Sequence, residues 1–124
     1  MIEHIALITG VQDEADAFLS DQPATRLNSP LGKVRQLDHA GKTVSILCCG
    51  IGKVHAGAAA LYMHSHFRPD LFLVIGTAGH VSALAGDCFY LGESLQADYG
   101  TLERFGDHDG FTHYNAGAWP IGPS

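Results

Sequence analysis

The sequence predicts an α/β fold in which a mixed β-sheet is flanked by helices, formed by a single domain over residues 1–124. Apolar runs of strand length alternate with two segments of helical periodicity. Two of the apolar runs end in glycine-bounded turns. A chain of 124 residues is long enough for one real hydrophobic core and too short for two.

The first predicted elements are a strand over residues 3–8 and a helix over residues 10–20. The helix has one apolar stripe at positions i, i+4, i+7 and i+8, made of Val11, Ala15, Phe18 and Leu19. Asp13 and Glu14 lie in its first turn, where negative charge suits the helix dipole. The segment 22–30, which contains two prolines, is predicted to be a loop.

A hairpin is predicted from strands 34–37 and 43–49, joined by a turn at residues 39–42. A second helix is predicted over residues 53–67 and should end before Pro69, because the residue before a proline avoids helical geometry. Its stripe facing the sheet is expected to be Val54, Ala58, Leu61 and Tyr62.

The last predicted elements are a buried strand over residues 71–75 and another strand over residues 88–95. Residues 76–79, at the end of the first of these strands, form a turn bounded by two glycines. After Asp98 the pattern dissolves into a segment punctuated by glycines and by Pro120 and Pro123, and no element is predicted there.

Composition excludes several classes of partner. The formal charge is -6, with seven Lys and Arg residues against 13 Asp and Glu residues. A nucleic-acid partner is not expected because no basic face is visible, and no apolar run reaches the roughly 20 residues of a membrane helix. The N-terminal segment has neither a basic leader nor a cleavage signal, so we expect no export and a cytoplasmic location.

The cysteines are interpreted as small hydrophobic residues of a reducing compartment, not as catalytic thiols or ligands. Cys48 and Cys49 are adjacent in a strand-like run, so their side chains should point to opposite faces, and Cys88 stands apart.

No metal or cofactor is expected. The segment Gly50-Ile51-Gly52-Lys53 is not a phosphate loop, because Leu47 stands where the first glycine belongs and Val54 where Ser or Thr belongs. The dinucleotide fingerprint fails because its last glycine would fall on His55. The cluster of Asp107, His108, Asp109 and His113 is interpreted as a solvated polar loop.

The residues themselves predict a small-molecule site along the main chain of 76–79. Glycine lets the backbone approach a ligand closely, and ligands of open α/β sheets bind beyond the carboxyl ends of strands. The alternative is a tight turn without a ligand. Glu14 borders the buried stripe of the first helix, where it would act as a base toward water or a sugar hydroxyl; the alternative is a dipole partner only.

Five segments in order resemble the nucleoside phosphorylase and nucleosidase superfamily. They are IALITGVQDE at 5–14, CGIGKVHA at 49–56, RPD at 68–70, GTAG at 76–79 and GD at 86–87. Their order and spacing are most similar to those of methylthioadenosine/S-adenosylhomocysteine nucleosidases. The resemblance implies a phosphorylase/hydrolase-like fold and hydrolysis of the N-glycosidic bond of a purine nucleoside through an oxocarbenium-like sugar.

The resemblance also assigns roles to individual residues. Glu14 would orient and deprotonate the attacking water, and Thr77, Ala78 and Gly79 would lie along the ribose and base. Ile51 would touch the 5′ side of the sugar. Phe105 resembles an aromatic residue of the family that reaches the 5′-substituent pocket of a neighbouring subunit. This resemblance implies a homodimer.

Departures from the family pattern leave alternatives open. Thr77 replaces the usual Ser and His80 a customary Gly, and residues 96–100 and 110–111 are similar to futalosine hydrolases. A phosphorylase of the same superfamily is the other enzymatic alternative. Family members have a second half that supplies the acid for the purine, a carboxylate for the ribose hydroxyls and a stacking aromatic residue. We therefore expect the chain to be the N-terminal part of such a domain, apparently truncated, with a non-catalytic nucleoside-binding or assembly module as the alternative.

Overall fold

The computed structural model describes residues 1–81, 85–106, 108–114 and 119–120. The chain divides into two compact units, Met1–His80 and Val81–Ser124. In the first unit the elements are β1 (His4–Thr9), α1 (Gln12–Leu19), β2 (Thr25–Ser29), β3 (Gly32–His39), β4 (Lys42–Cys48), α2 (Lys53–Phe67) and β5 (Leu71–Val74). In the second unit they are β6 (Glu93–Ser94), β7 (Gly100–Phe105), β8 (His108–His113) and β9 (Trp119–Pro120).

The first unit is built on a five-stranded mixed sheet in the order β2-β3-β4-β1-β5. Strand β1 is parallel to both of its neighbours, β4 and β5, whereas β2, β3 and β4 pair antiparallel in succession. The two parallel pairs are connected through α1 and α2, as crossover connections require. The predicted mixed sheet is confirmed.

A separate hydrophobic cluster covers each face of this sheet. On one face Ala6, Ile8, Val34 and Leu47 pack with residues of α2. On the other face Leu7, Leu37, Val44 and Ile46 pack with Ala15 and Leu19 of α1. The alternation along β1 and β4 follows the two-residue period of a strand, so one helix lies on each face. The prediction that helices flank the sheet is also confirmed.

The bounds of α2 match the prediction, but its predicted buried stripe is wrong except for Tyr62, which is half-buried against the core cluster. Ala59 and Met63 are fully buried against the sheet, whereas Val54 is 84% exposed and Leu61 68% exposed. The helix carries apolar residues on all sides, so periodicity alone does not identify the face that packs.

Two further predictions for the first unit are wrong. Part of the segment 22–30, predicted to be a loop, forms the edge strand β2. Its mostly polar sequence does not indicate a strand, and the extended conformation is stabilised by backbone pairing with β3. The strand at 71–75 is not buried as predicted, since β5 alternates between half-buried and exposed residues and Val74 is 82% exposed.

The second unit also differs from the sequence prediction. Only β6 is extended within the predicted strand 88–95. Strands β7 and β8, where no element was predicted, form an antiparallel hairpin that turns through Gly106 at φ 63°. Among the residues predicted to punctuate this segment, Gly117, Gly122 and Pro123 lie outside the described residues.

No helix in the described ranges is long and apolar enough to cross a membrane.

Candidate active site

Three parallel strands end side by side at one edge of the sheet. Thr9 at the end of β1 pairs with Cys48 at the end of β4, and Ile8 pairs with Val74 at the end of β5. Gly10, Gly50 and Gly76 lie in the segments that follow these strands. This edge is the place where open α/β sheets bind their ligands.

The carboxylate of Glu14 joins two of these segments. Glu14 lies in the first turn of α1, and its Oε1 accepts hydrogen bonds from the Thr77 N–H at 2.8 Å and the Thr77 hydroxyl at 3.1 Å. Its Oε2 accepts hydrogen bonds from the N–H groups of Gly10 at 3.2 Å and Val11 at 3.3 Å. One side chain therefore holds the loop after β5 against the loop after β1.

Two glycines lie against this carboxylate. A Cβ at Gly76 would lie 3.4 Å from Oε1 of Glu14, and a Cβ at Gly10 would lie 3.8 Å from Oε2. Both are ordinary van der Waals distances, so a methyl group at either position would contact the carboxylate without displacing it. The sequence predicted that Glu14 and the main chain around Ala78 face the same site, and the contacts between Glu14 and Thr77 agree with that prediction. The role of Gly10 as a donor to the carboxylate was not predicted.

These donors lower the pKa of Glu14 from its ordinary value of 4.5. The hydrogen bond from the Thr77 main chain contributes most, followed by that from Val11, while partial desolvation opposes them. Donors that point at the ionised form stabilise it, so Glu14 is a carboxylate throughout the neutral pH range.

The other residues assigned through the resemblance occupy different places. Ile51 follows β4, is 78% exposed, and its carbonyl lies 2.9 Å from Nδ1 of His55. Ala78 and Gly79 continue the exposed segment after Thr77. Phe105 is the last residue of β7 in the second unit, where it pairs with His108.

The cysteines and histidines add no metal site within the part of the chain that the structure describes. Cys48 and Cys49 belong to the clusters on opposite faces of the sheet, as predicted. Burial raises the pKa of the Cys49 thiol, which keeps it protonated and weakly nucleophilic. Of the acidic and histidine cluster near the C-terminus, Asp107 lies outside the described residues.

Comparison with known protein families shows to which superfamily the chain belongs. The model of the phosphorylase superfamily matches residues 4–120. The chain belongs to the phosphorylase superfamily. The resemblance seen in the five sequence segments is confirmed.

Several solved structures to which this superfamily chain is similar are described as nucleosidases. A candidate 5′-methylthioadenosine/S-adenosylhomocysteine nucleosidase from Francisella philomiragia has a TM-score of 0.63 and 24% identity, over 68% of this chain and 37% of its own. The enzyme from Neisseria meningitidis, solved with methylthio-immucillin-A, has a TM-score of 0.61 and 22% identity, over 66% and 36%. The enzyme from Colwellia psychrerythraea, solved with adenine, has a TM-score of 0.59 and 25% identity, over 67% and 35%.

These matches show that the phosphorylase-superfamily chain shares the fold of the nucleosidases. They also show that it matches little more than a third of the length of each of them.

Proposed function

We propose that residues 1–124 are the N-terminal part of a nucleosidase domain that hydrolyses the N-glycosidic bond of a purine nucleoside such as methylthioadenosine or S-adenosylhomocysteine. Glu14 activates the attacking water, and Thr77, Ala78 and Gly79 line the ribose and base. Ile51 borders the 5′ side of the sugar, and Phe105 serves the 5′-substituent pocket of a neighbouring subunit in a homodimer. One observation carries the proposal: Glu14 is ionised and fixed at the edge of the sheet where its three parallel strands end.

The low pKa of Glu14 defines what it does in this reaction. A carboxylate whose pKa lies below its ordinary value is a weak base toward free water, because a general base works best when its pKa lies near the working pH. Water that attacks a sugar with cation character becomes more acidic as the new C–O bond forms. Glu14 therefore orients the water, accepts its proton late, and opposes the positive charge of the sugar throughout.

The Glu14 oxygens already accept four hydrogen bonds, so a water molecule that binds to Glu14 must replace one of these donors. A carboxylate has about four lone-pair positions, and the four donors of Gly10, Val11 and Thr77 occupy all of them. The Thr77 hydroxyl can rotate whereas the three N–H groups are fixed by the backbone. We expect the attacking water to take the place of this hydroxyl on Oε1.

The second candidate is a nucleoside-binding or assembly module without catalytic activity. It is favoured by the length of the match, since this chain covers 37% of the Francisella protein and 36% of the Neisseria enzyme. Residues of a catalytic site that act as a unit also fail as a unit.

Release of free adenine from methylthioadenosine tests both candidates. Release in the absence of phosphate supports hydrolysis, and release that requires phosphate supports the phosphorylase alternative. Futalosine, supplied in parallel, tests the alternative of a futalosine hydrolase. Binding of methylthioadenosine without release supports the module, whereas neither binding nor release contradicts both candidates. The proposed homodimer and cytoplasmic location are tested by sedimentation equilibrium and by cell fractionation.

A further inference from the structure

Three of the seven Lys and Arg residues of the chain lie on one face of the β2–β3 hairpin. Arg26 pairs directly with Arg35, so the two side chains emerge on the same face. Lys33 precedes Arg35 by two residues on β3 and shares that face. These three residues are called the basic face.

The basic face lies on the side of the sheet that α1 covers. Arg35 Nη1 forms an ion pair with Oδ1 of Asp16 at 2.5 Å, and Gln12 donates a hydrogen bond to the same oxygen at 2.9 Å. The hydrogen bond from Arg35 holds the pKa of Asp16 below its ordinary value, and the charge of Arg26 acts in the same direction. Asp16 thus offsets one of the three positive charges.

Arg26 and Lys33, which carry the other two positive charges, form no ion pair within the described ranges. Nη2 of Arg35 is shielded from solvent, and no residue in the described ranges accepts its hydrogen bond. Like charges directly opposite each other on two strands destabilise the pair, and an unpaired buried donor adds to that cost. This arrangement stands out in a chain whose formal charge is -6. An anion beside Arg26 would relieve the repulsion between the two cations, although it would not contact Nη2 of Arg35, which is shielded from solvent.

We propose that the basic face binds a tetrahedral phosphoryl oxyanion, either free phosphate or the phosphate group of an ester. Arg26 and Lys33 are exposed and reach the anion directly, while Arg35 supports it from the sheet surface. Guanidinium groups suit phosphate oxygens because their N–H groups form a planar fork. Cations at two neighbouring cross-strand positions fit one compact anion better than an extended acidic peptide, which would need them spread along a strand.

This site is separate from the one at Glu14. The sheet order places β4 between β3 and β1, and Glu14 reaches across β1 to the loop after β5. Phosphate bound near Glu14 would therefore shift the amide signals of residues around Glu14, whereas phosphate bound at the basic face would shift those of β2 and β3.

Amide chemical shifts recorded while sodium phosphate replaces sodium chloride at constant ionic strength test the proposal. Saturable shifts are expected at residues 26–28 and 33–35, and the variant Arg26→Gln or Lys33→Gln should weaken binding about tenfold, the effect of losing a hydrogen bond to a charged group. Arg68→Gln is the control, because it removes a positive charge that does not belong to the basic face. It should change the affinity for phosphate by no more than about twofold, since only nonspecific charge attraction is reduced.

Glycerol 3-phosphate separates the two sources of the anion. Tighter binding of the ester than of free phosphate assigns the site to a phosphorylated metabolite, and equal binding assigns it to free phosphate. The proposal is overturned by shifts that do not saturate, by shifts centred on Gly10 and Thr77, or by an equal loss of affinity in Arg68→Gln.

Discussion

At the scale of single residues, Glu14 combines a structural and a chemical role. Its carboxylate accepts hydrogen bonds from Gly10, Val11 and Thr77 and so connects the segments after β1 and β5. A first-turn acidic residue that served the helix dipole alone would not need a partner 63 positions away in the chain. The contact with Thr77 therefore favours the functional interpretation over the dipole interpretation.

The variant Glu14→Gln tests this interpretation. The amide keeps the shape of the side chain but presents an NH2 group to N–H donors, and it cannot accept a proton from water. In a full-length form that contains residues 1–124, we expect adenine release from methylthioadenosine to fall about 100-fold or more, within the range for loss of a general base. Binding of the nucleoside, measured by calorimetry, should change little.

Asp13→Asn is the matched control for Glu14→Gln, since it removes the neighbouring carboxylate from the same helical turn. It should leave adenine release nearly unchanged. Equal losses in the two variants would assign Glu14 to the helix dipole.

The variant Thr77→Val tests how the low pKa of Glu14 arises. It removes the hydroxyl donor and keeps the main-chain donor, which contributes most. The pKa of Glu14, followed by NMR of its carboxyl carbon, should rise toward 4.5 but stay below it. Thr43→Val, which removes a hydroxyl that lies near Asp38 on the hairpin β3–β4, is the control and should leave this titration unchanged.

The sign of the resulting pH effect follows from the direction of the shift. The pKa of Glu14 is lower in the folded than in the unfolded chain, so the ionised form favours folding. This contribution is complete above about pH 4.5 and is lost as the pH falls through the lower folded pKa. Acid unfolding of Thr77→Val should therefore start at higher pH than in the parent chain, as circular dichroism would show.

At the scale of elements, the sequence predicted those with a continuous apolar run or a helical apolar stripe. Strands β1 and β4 have such runs, which are buried on both faces, and helix α1 has such a stripe; all three were found near their predicted bounds. Strand β2 was missed because Leu27 is its only apolar residue and its pairing with β3 is a tertiary effect. Glu14 could be proposed from its place beside the buried stripe, but its contact with Thr77 depends on the parallel pairing of β1 and β5, which no local pattern contains.

Helix α2 offers a test of which of its apolar faces stabilises the fold. Met63 is fully buried in the cluster between α2 and the sheet, so Met63→Ala should lower the free energy of unfolding by about 2–5 kcal/mol. Leu61 lies two residues earlier and is mostly exposed, so Leu61→Ala should change it by no more than about 0.5 kcal/mol. Urea unfolding followed by circular dichroism measures both values, and a larger loss in Leu61→Ala would show that the originally predicted stripe is the packed one.

At the scale of the whole molecule, the hydrophobic core is concentrated in the first unit. All buried hydrophobic residues of the described chain lie between Ala6 and Met63. Both units expose large apolar side chains, such as Val54 in the first and Tyr90 in the second, but no hydrophobic residue in the described part of the second unit is buried. Burial of apolar surface is the main favourable term in folding, so the two units should differ in local stability.

Amide hydrogen exchange on the intact chain would measure this difference and decide whether residues 1–124 unfold as the single domain that their length predicted. Protection should be greatest in β1 and β4, the two strands with four successive buried residues, and should approach the free energy of global unfolding there. In β7 and β8 we expect exchange at least about 100-fold faster, because a two-stranded hairpin with exposed apolar residues is marginally stable by itself. Equal protection in β8 and β1 would show instead that the two units unfold together, and the single-domain prediction would then be confirmed.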